Sequence, residues 1–258
     1  MLSPAATYFK ELARCTRHNL LHLRTFHLSY RRGLWTVRDG DLTMVFPRYP
    51  YLAFHDIEGY LNHGQWRPRP GMTVVDAGGC FGEFALYAAK CVGPTGRVLM
   101  LEPDPANIAV AREFLSLNGN PANVEIIPAG LWSRPGKLRF NAGHGAESAV
   151  ATVDSPGSAA ATSIEIDVHS LASLARAYAL DRVDFVKMDI EGAEVEVISA
   201  AGELPPQLKP RYAIASYHIV DGRKSADVLA ELFPKLGYHC RTGYPAHLTT
   251  WASPEPLE

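Results

Sequence analysis

The stretch that most constrains this chain runs from Thr73 to Ala89. A short apolar run, Thr73-Val74-Val75, ends at Asp76; Gly78, Gly79 and Gly82 follow within seven residues, and Phe84-Ala85-Leu86-Tyr87-Ala88-Ala89 then reads as a helix. An apolar strand, a glycine turn and a helix in immediate succession form the opening of a βαβ unit. The glycines allow close backbone approach to a ligand, and the helix start presents free N–H groups. The alternation continues with Arg97–Leu101 as a strand ending at Glu102, a helix over Asn107–Leu117 and a strand over Val124–Ile127. Right-handed crossovers of this kind build a mostly parallel sheet covered by helices on both faces. The expected class is α/β, Rossmann-like.

The later chain extends the pattern. Leu171–Tyr178 is expected to be helical, Val183–Met188 a buried strand ending at Asp189, Ala193–Ala200 a helix and Tyr212–Ala215 a strand. A helix over Ser225–Leu236, then Tyr238–Arg241 and His247–Trp251, predicts an antiparallel ending to the sheet. Between about 130 and 168 the alternation lapses. Lys137–Phe140, Ser148–Val153 and Ser163–Val168 suggest an antiparallel β-rich insertion, and Asp154–Ala161, rich in Ser, Ala, Gly and Pro, suggests a lid or loop. Ahead of the α/β part, the first 32 residues read as a basic helix. A hairpin follows at Trp35–Val37 and Leu42–Phe46, then a helix over Tyr51–Gly64 and a Pro-rich stop at Arg67–Gly71. The division is therefore residues 1–70, an extension for substrate or for a second copy of the chain, and residues 71–258, the ligand-binding domain.

Composition narrows the partners. A formal net charge of −2 offers no field for nucleic acid. The four cysteines form no CxxC pair, which suits a reducing cytoplasmic setting and not thiolate-bound metal. No apolar run is long enough to span a membrane, and no secretory leader is apparent.

In an open α/β sheet, ligands bind at the carboxyl ends of the strands. Asp76, Gly78, Gly79, Cys80, Gly82 and Glu83 form the turn there, and Glu102 stands at the neighbouring strand end, where a carboxylate accepts hydrogen bonds from ribose hydroxyls. A GxGxxG reading fails at its first glycine, which is Ala77, and a GxGxG reading fails at Cys80. Asp76 suits a cationic amino-acid moiety better than a pyrophosphate, which it would repel. In Asp184-Phe185-Val186-Lys187-Met188-Asp189-Ile190-Glu191-Gly192-Ala193-Glu194, the strand delivers Asp189 and Glu191 to the same edge. One of them caps the following helix and the other has a functional role. His218, after the next strand, is the candidate general base.

Taken together, VVDAGGCFGEFALYAA, LEPDP, NVEIIPAGLW and VDFVKMDIEGAE resemble the FkbM family of S-adenosylmethionine-dependent O-methyltransferases over roughly Met72 to Tyr244. The resemblance implies a class I methyltransferase fold: a seven-stranded, mostly parallel sheet whose last strand is antiparallel. It implies S-adenosylmethionine as cofactor and S-adenosylhomocysteine as product. Asp76 to Gly82 would wrap the methionine part, Glu102 and Pro103 the ribose, and Ala129, Gly130 and Leu131 the adenine, with Asp189 and Glu191 facing the methyl group or acceptor. Two positions depart from the family pattern: Cys80, where Asn is common, and Ser216, where Glu often precedes the histidine. Related sugar O-methyltransferases hold magnesium with strand-end carboxylates; with Ser216 in place the ligand set is incomplete, so a divalent metal stays open as a cofactor but no metal ligand is predicted.

The reaction so implied is in-line methyl transfer to the hydroxyl of a small molecule, sugar or natural product, with His218 taking the proton and Asp189 orienting the hydroxyl. A nicotinamide-dependent oxidoreductase and a non-catalytic binding protein on the same fold are the alternatives. Trp35, Tyr49, Tyr51, Trp66 and Arg67 are candidates for lining the acceptor pocket.

Overall fold

The computed structural model describes residues 4–21, 26–50, 57–62, 64–142, 149–150 and 162–257. Seven strands make the central sheet: β4 (Thr73–Ala77), β5 (Arg97–Leu101), β6 (Val124–Ile127), β11 (Phe185–Met188), β12 (Arg211–Ala215), β15 (His239–Gly243) and β16 (Thr249–Ser253). Their spatial order is β15-β16-β12-β11-β4-β5-β6. The pairs from β12 to β6 are parallel, and β16 runs antiparallel between β12 and β15. This is the expected Rossmann-like class I sheet with its reversed last strand. Every residue of β4 is buried, because helices cover both faces. Successive side chains alternate between two cores: Val74 packs with α3 (Glu83–Val92) on one face, and Val75 and Ala77 pack towards α5 (Leu171–Ala177) and α7 (Ser225–Lys235) on the other.

Local chemistry sets the helix starts. Asp104 caps α4 (Pro105–Leu117) by accepting from Ala106 N at 2.8 Å, with Pro105 at the first helical position where no N–H is needed. Ser170 and Ser173 form a reciprocal capping box on α5.

The N-terminal part corrects one expectation. The basic helix α1 (Pro4–Leu21) does not reach residue 32; β1 (His27–Arg31) pairs along its full length with β2 (Leu34–Asp39), which pairs with β3 (Leu42–Phe46). Leu28 is buried between exposed His27 and Ser29, and this period-2 burial favours strand over helix. The expected hairpin is β2–β3. A short helix, α2, covers the described residues 57–61; Tyr51–Asp56 of the expected helix lie outside the described residues, as does the Asp154–Ala161 loop. The insertion forms a second sheet from β7 (Gly130–Leu131), β8 (Gly136–Ala142), β9 (Ala149–Val150) and β10 (Thr162–His169), in the order β7-β10-β8-β9. A two-stranded ribbon, β13 (Ile219–Val220) and β14 (Arg223–Lys224), follows β12, and α6 (Glu194–Ser199) follows β11. Among the described residues no helix is long and apolar enough to cross a membrane.

Candidate active site

The glycine turn is shaped by what lies against it. Gly78 has φ +70°, and a Cβ there would stand 1.8 Å from the carbonyl oxygen of Asp189, so only glycine lets β4 and the β11 terminus pass this closely. Gly78 N and Gly79 N both donate to Leu101 O, at 3.1 and 2.9 Å, which ties the turn to β5. Cys80 takes φ +47°, a left-handed conformation that costs a residue with a Cβ free energy. Its N–H donates to Glu102 Oε2 at 2.8 Å. Glu102 Oε1 accepts from Asp104 N at 2.8 Å and Asn107 Nδ2 at 3.4 Å. Burial pushes the Glu102 carboxyl up to about 7 against those hydrogen bonds.

Asp76 lies beneath the turn, paired with a lysine of the neighbouring strand. It is wholly buried, lies 3.1 Å from Lys187 Nζ, and is not among the residues that border the cleft. Lys187 also donates to Gly78 O at 2.7 Å, and the pair therefore braces the turn from below. Burial works against the Lys187 charge, but the carboxylates of Asp76 and Asp189 outweigh it and raise its pKa.

Above the sheet edge the cleft has two arms. One is bordered by Glu102, Pro103, Gly130 and Leu131, with Phe140 and Ile166 of the insertion sheet closing its side. The other is bordered by Ile57, Tyr60, Glu83, Phe84 and Tyr217. Gly78, Cys80, Asp189 and Glu191 border both, so the arms meet there. Gly79 also borders the second arm, whereas Gly82, the N-cap of α3, and buried Ala129 border neither.

At the junction, Asp189 Oδ2 accepts from Tyr60 OH at 2.8 Å, and Tyr217 OH lies 3.4 Å from Oδ1. His247 Nε2 is 3.8 Å from Oδ2. Burial would raise the Asp189 pKa, but His247, Lys187, His218 and Tyr60 hold it down to about 2. Glu191 sits at φ +56° beside Gly192, a strained corner that points its carboxylate at His218. The proton-accepting role expected of His218 does not fit this arrangement. Its Nδ1 lies 3.2 Å from Glu194 Oε1, and its Nε2 lies 3.5 Å from Glu191 and 3.7 Å from Asp189. Burial lowers its pKa, yet the three carboxylates raise it to about 10, so the imidazole already holds its proton at neutral pH. Neither Asp189 nor Glu191 caps α6: its N-cap is Ala193, which makes no side-chain hydrogen bond, and Glu194 Oε1 accepts the Ile190 N–H of the preceding turn at 2.8 Å.

Sequence reasoning missed Tyr60, Tyr217 and His247. Each comes from a segment whose path to the cleft depends on tertiary packing; Trp251 Nε1, for instance, holds α2 in place by donating to Gly59 O and Tyr60 O at 3.2 Å. The aromatic residues expected to line an acceptor pocket serve elsewhere. Trp35 and Trp66 are core residues, Tyr49 packs on Trp35, and Arg67 pairs with Asp39 at 3.3 Å; Tyr51 lies outside the described residues.

Residues 76–240, well over half of the 258-residue chain, match the model of the methyltransferase FkbM domain. The chain is 28% identical over 158 residues to the methyltransferase sdnD of Sordaria araneosa, covering 50% of this chain and 60% of that one. It is 24% identical over 121 residues to the ubiquinone/menaquinone biosynthesis C-methyltransferase UbiE of Hahella chejuensis, covering 43% and 49%. The chain thus spans about half to three fifths of the length of these curated relatives. Among solved structures it resembles an FkbM methyltransferase from Methylobacillus flagellatus, at 19% identity and a TM-score of 0.49, over 80% of this chain and 55% of that one.

Proposed function

The chain belongs to the FkbM methyltransferase family, and from that premise we propose that it moves the methyl group of S-adenosylmethionine to a hydroxyl oxygen of a small molecule. The carrying observation is the two-armed cleft whose arms meet at Gly78, Cys80, Asp189 and Glu191. One arm offers a buried carboxylate, Glu102, to ribose hydroxyls and an apolar wall to a base. The carboxylates at the junction suit a cationic sulfonium. The other arm, between Tyr60, Phe84 and Tyr217, takes the acceptor.

A hydroxyl is favoured over a carbon nucleophile because Asp189 is already an acceptor of O–H donors: Tyr60 donates to it, and Tyr217 approaches it. An acceptor hydroxyl donating to the ionised Asp189 would direct an oxygen lone pair at the methyl carbon. The new C–O bond forms as the C–S bond breaks, its electron pair stays on sulfur, and S-adenosylhomocysteine leaves. The acceptor proton departs to Asp189 or to water as the sulfonium charge is lost. Holding the two reactants in line is the main contribution of the protein. His218, already protonated, steadies the carboxylates instead of taking that proton.

Calorimetry with S-adenosylmethionine is the first test, and absence of binding at millimolar cofactor by folded protein refutes the proposal. Turnover with a ¹³C-methyl cofactor over a panel of hydroxylated acceptors then identifies the methylated atom by NMR. A product methylated on carbon would overturn the oxygen assignment while leaving methyl transfer in place.

A further inference from the structure

We propose that Asp189, Glu194 and His218 form a binding site for one divalent cation of the borderline kind, manganese, cobalt or zinc in preference to magnesium or calcium. One ligand atom from each of the three lies within 4.8 Å of the other two. Modest side-chain movement brings such atoms to the roughly 3–3.5 Å separations that go with metal–ligand bonds of about 2.0–2.2 Å.

A second observation points to a missing ligand. Glu194 is wholly buried; its Oε1 accepts from Ile190 N, but its buried Oε2 has no hydrogen-bond partner among the described residues. The His218 side chain is only 10% exposed, and among the described residues neither ring nitrogen makes a well-directed hydrogen bond, although carboxylate oxygens stand 3.2 to 3.7 Å away. A buried carboxylate oxygen with nothing to accept is costly, and native interiors rarely leave one so. A cation drawn between these groups satisfies both, and it takes the place of the proton that His218 otherwise holds between the carboxylates.

The donor set decides the type of ion. Magnesium and calcium prefer all-oxygen shells, whereas an imidazole nitrogen with carboxylates suits the later divalent ions. Three protein ligands leave further positions open, and Asp189 borders the cleft, so water or an acceptor oxygen has access. Glu191, whose Oε2 is 3.5 Å from His218 Nε2, stands beside the set as an orienting carboxylate. Asp189 directly follows β11, Glu194 opens α6, and His218 lies in the short link between β12 and β13. Ser216 offers no carboxylate to the set; the third ligand comes from Glu194 instead.

The test titrates Co²⁺ into chelator-stripped full-length protein, without cofactor or acceptor, and follows visible absorption and equilibrium dialysis. The expected result is one equivalent bound at micromolar Kd and displaced by Zn²⁺. Glu194→Gln and His218→Ala should each weaken binding at least tenfold, while His239→Ala, at an exposed histidine on β15, leaves it unchanged. Should either site variant lose its cooperative melt, Asp189→Asn gives the same reading. Less than one equivalent at millimolar Co²⁺, or equal affinity in the wild type and the folded site variants, overturns the site. Failure here leaves methyl transfer untouched, because that proposal stands or falls on cofactor calorimetry.

Discussion

At the scale of single residues, the buried charges carry the most information. Asp76 and Lys187 are register partners on β4 and β11, both nearly inaccessible, and each leaves the other uncompensated if removed alone. Lys187→Met should therefore cost about 3–5 kcal/mol in urea denaturation, and adding Asp76→Asn should recover a large share of it. Strictly additive losses in the double variant would show that the two charges are not coupled. Asp76 was legible as the acid ending the first strand, but its partner was not. The two positions are more than a hundred residues apart, and only the β4–β11 register joins them. Glu102 was read correctly as a strand-end acid, and its burial adds a pH dependence. Its pKa rises from an ordinary 4.5 to about 7, so the empty protein favours the neutral carboxyl. That contribution to stability is full below about 4.5 and is lost as pH climbs through 7. Ribose hydroxyls donate to the ionised form, so cofactor binding should release a proton near pH 6–7 and weaken by up to about tenfold per pH unit below 7. Calorimetry in two buffers of different ionisation enthalpy measures the proton release; identical heats in both would refute it.

At the scale of elements, the alternation of apolar strands and helices was visible because β4, β5, β11 and β12 are buried on both faces, which leaves continuous apolar runs in the sequence. β1 was hidden because its inward Leu28 and Tyr30 alternate with His27, Ser29 and Arg31, which in one dimension look like a basic helix. The two-residue strands β7, β13 and β14 have too little sequence to carry any period. The β-rich insertion was recognised as such, but not its position over the cleft. Phe140 on β8 and Ile166 on β10 are register-neighbours two residues apart on a shared face, and both border the nucleoside arm. If this wall covers the adenine, Phe140→Ala should raise the cofactor Kd about tenfold, equivalent to about 1.4 kcal/mol. Glu165→Ala, on the exposed side of β10, should leave it unchanged. Equal cofactor affinities in Phe140→Ala and wild type, measured by the same calorimetry on folded protein, would remove the insertion from the binding site.

At the scale of the whole molecule, the question is whether the N-terminal 70 residues are an appendage or part of the fold. The sequence suggests a boundary at Arg67–Gly71, where prolines interrupt the pattern. The core does not respect it. Phe26, Leu28, Trp35, Val37, Met44 and Phe46 belong to one continuous cluster with Tyr87, Phe114 and Trp251 of the methyltransferase sheet and its helices. Phe46 packs edge-on to Phe114 at 5.1 Å between ring centroids, and Phe26 to Tyr87 at 5.9 Å. Asn118 at the end of α4 closes two hydrogen bonds with the Val45 backbone at 2.7 and 2.9 Å, acting as a strand partner for β3. Tyr87 OH donates to Asp39 Oδ2 at 2.9 Å, and Arg67 pairs with the same oxygen. Burying a large apolar side chain contributes about 1.5–3 kcal/mol, so losing six of them costs about as much as the whole net stability of about 5–15 kcal/mol that a domain usually holds. A chain beginning at residue 71 should therefore lack a cooperative thermal transition and should bind a hydrophobic dye, while the full chain melts in one step. It should also lose the acceptor arm, because Ile57 and Tyr60 go with it. A cooperative melt of residues 71–258 within a few degrees of the full chain would show the extension to be separable, and the cleft would then owe only those two side chains to it.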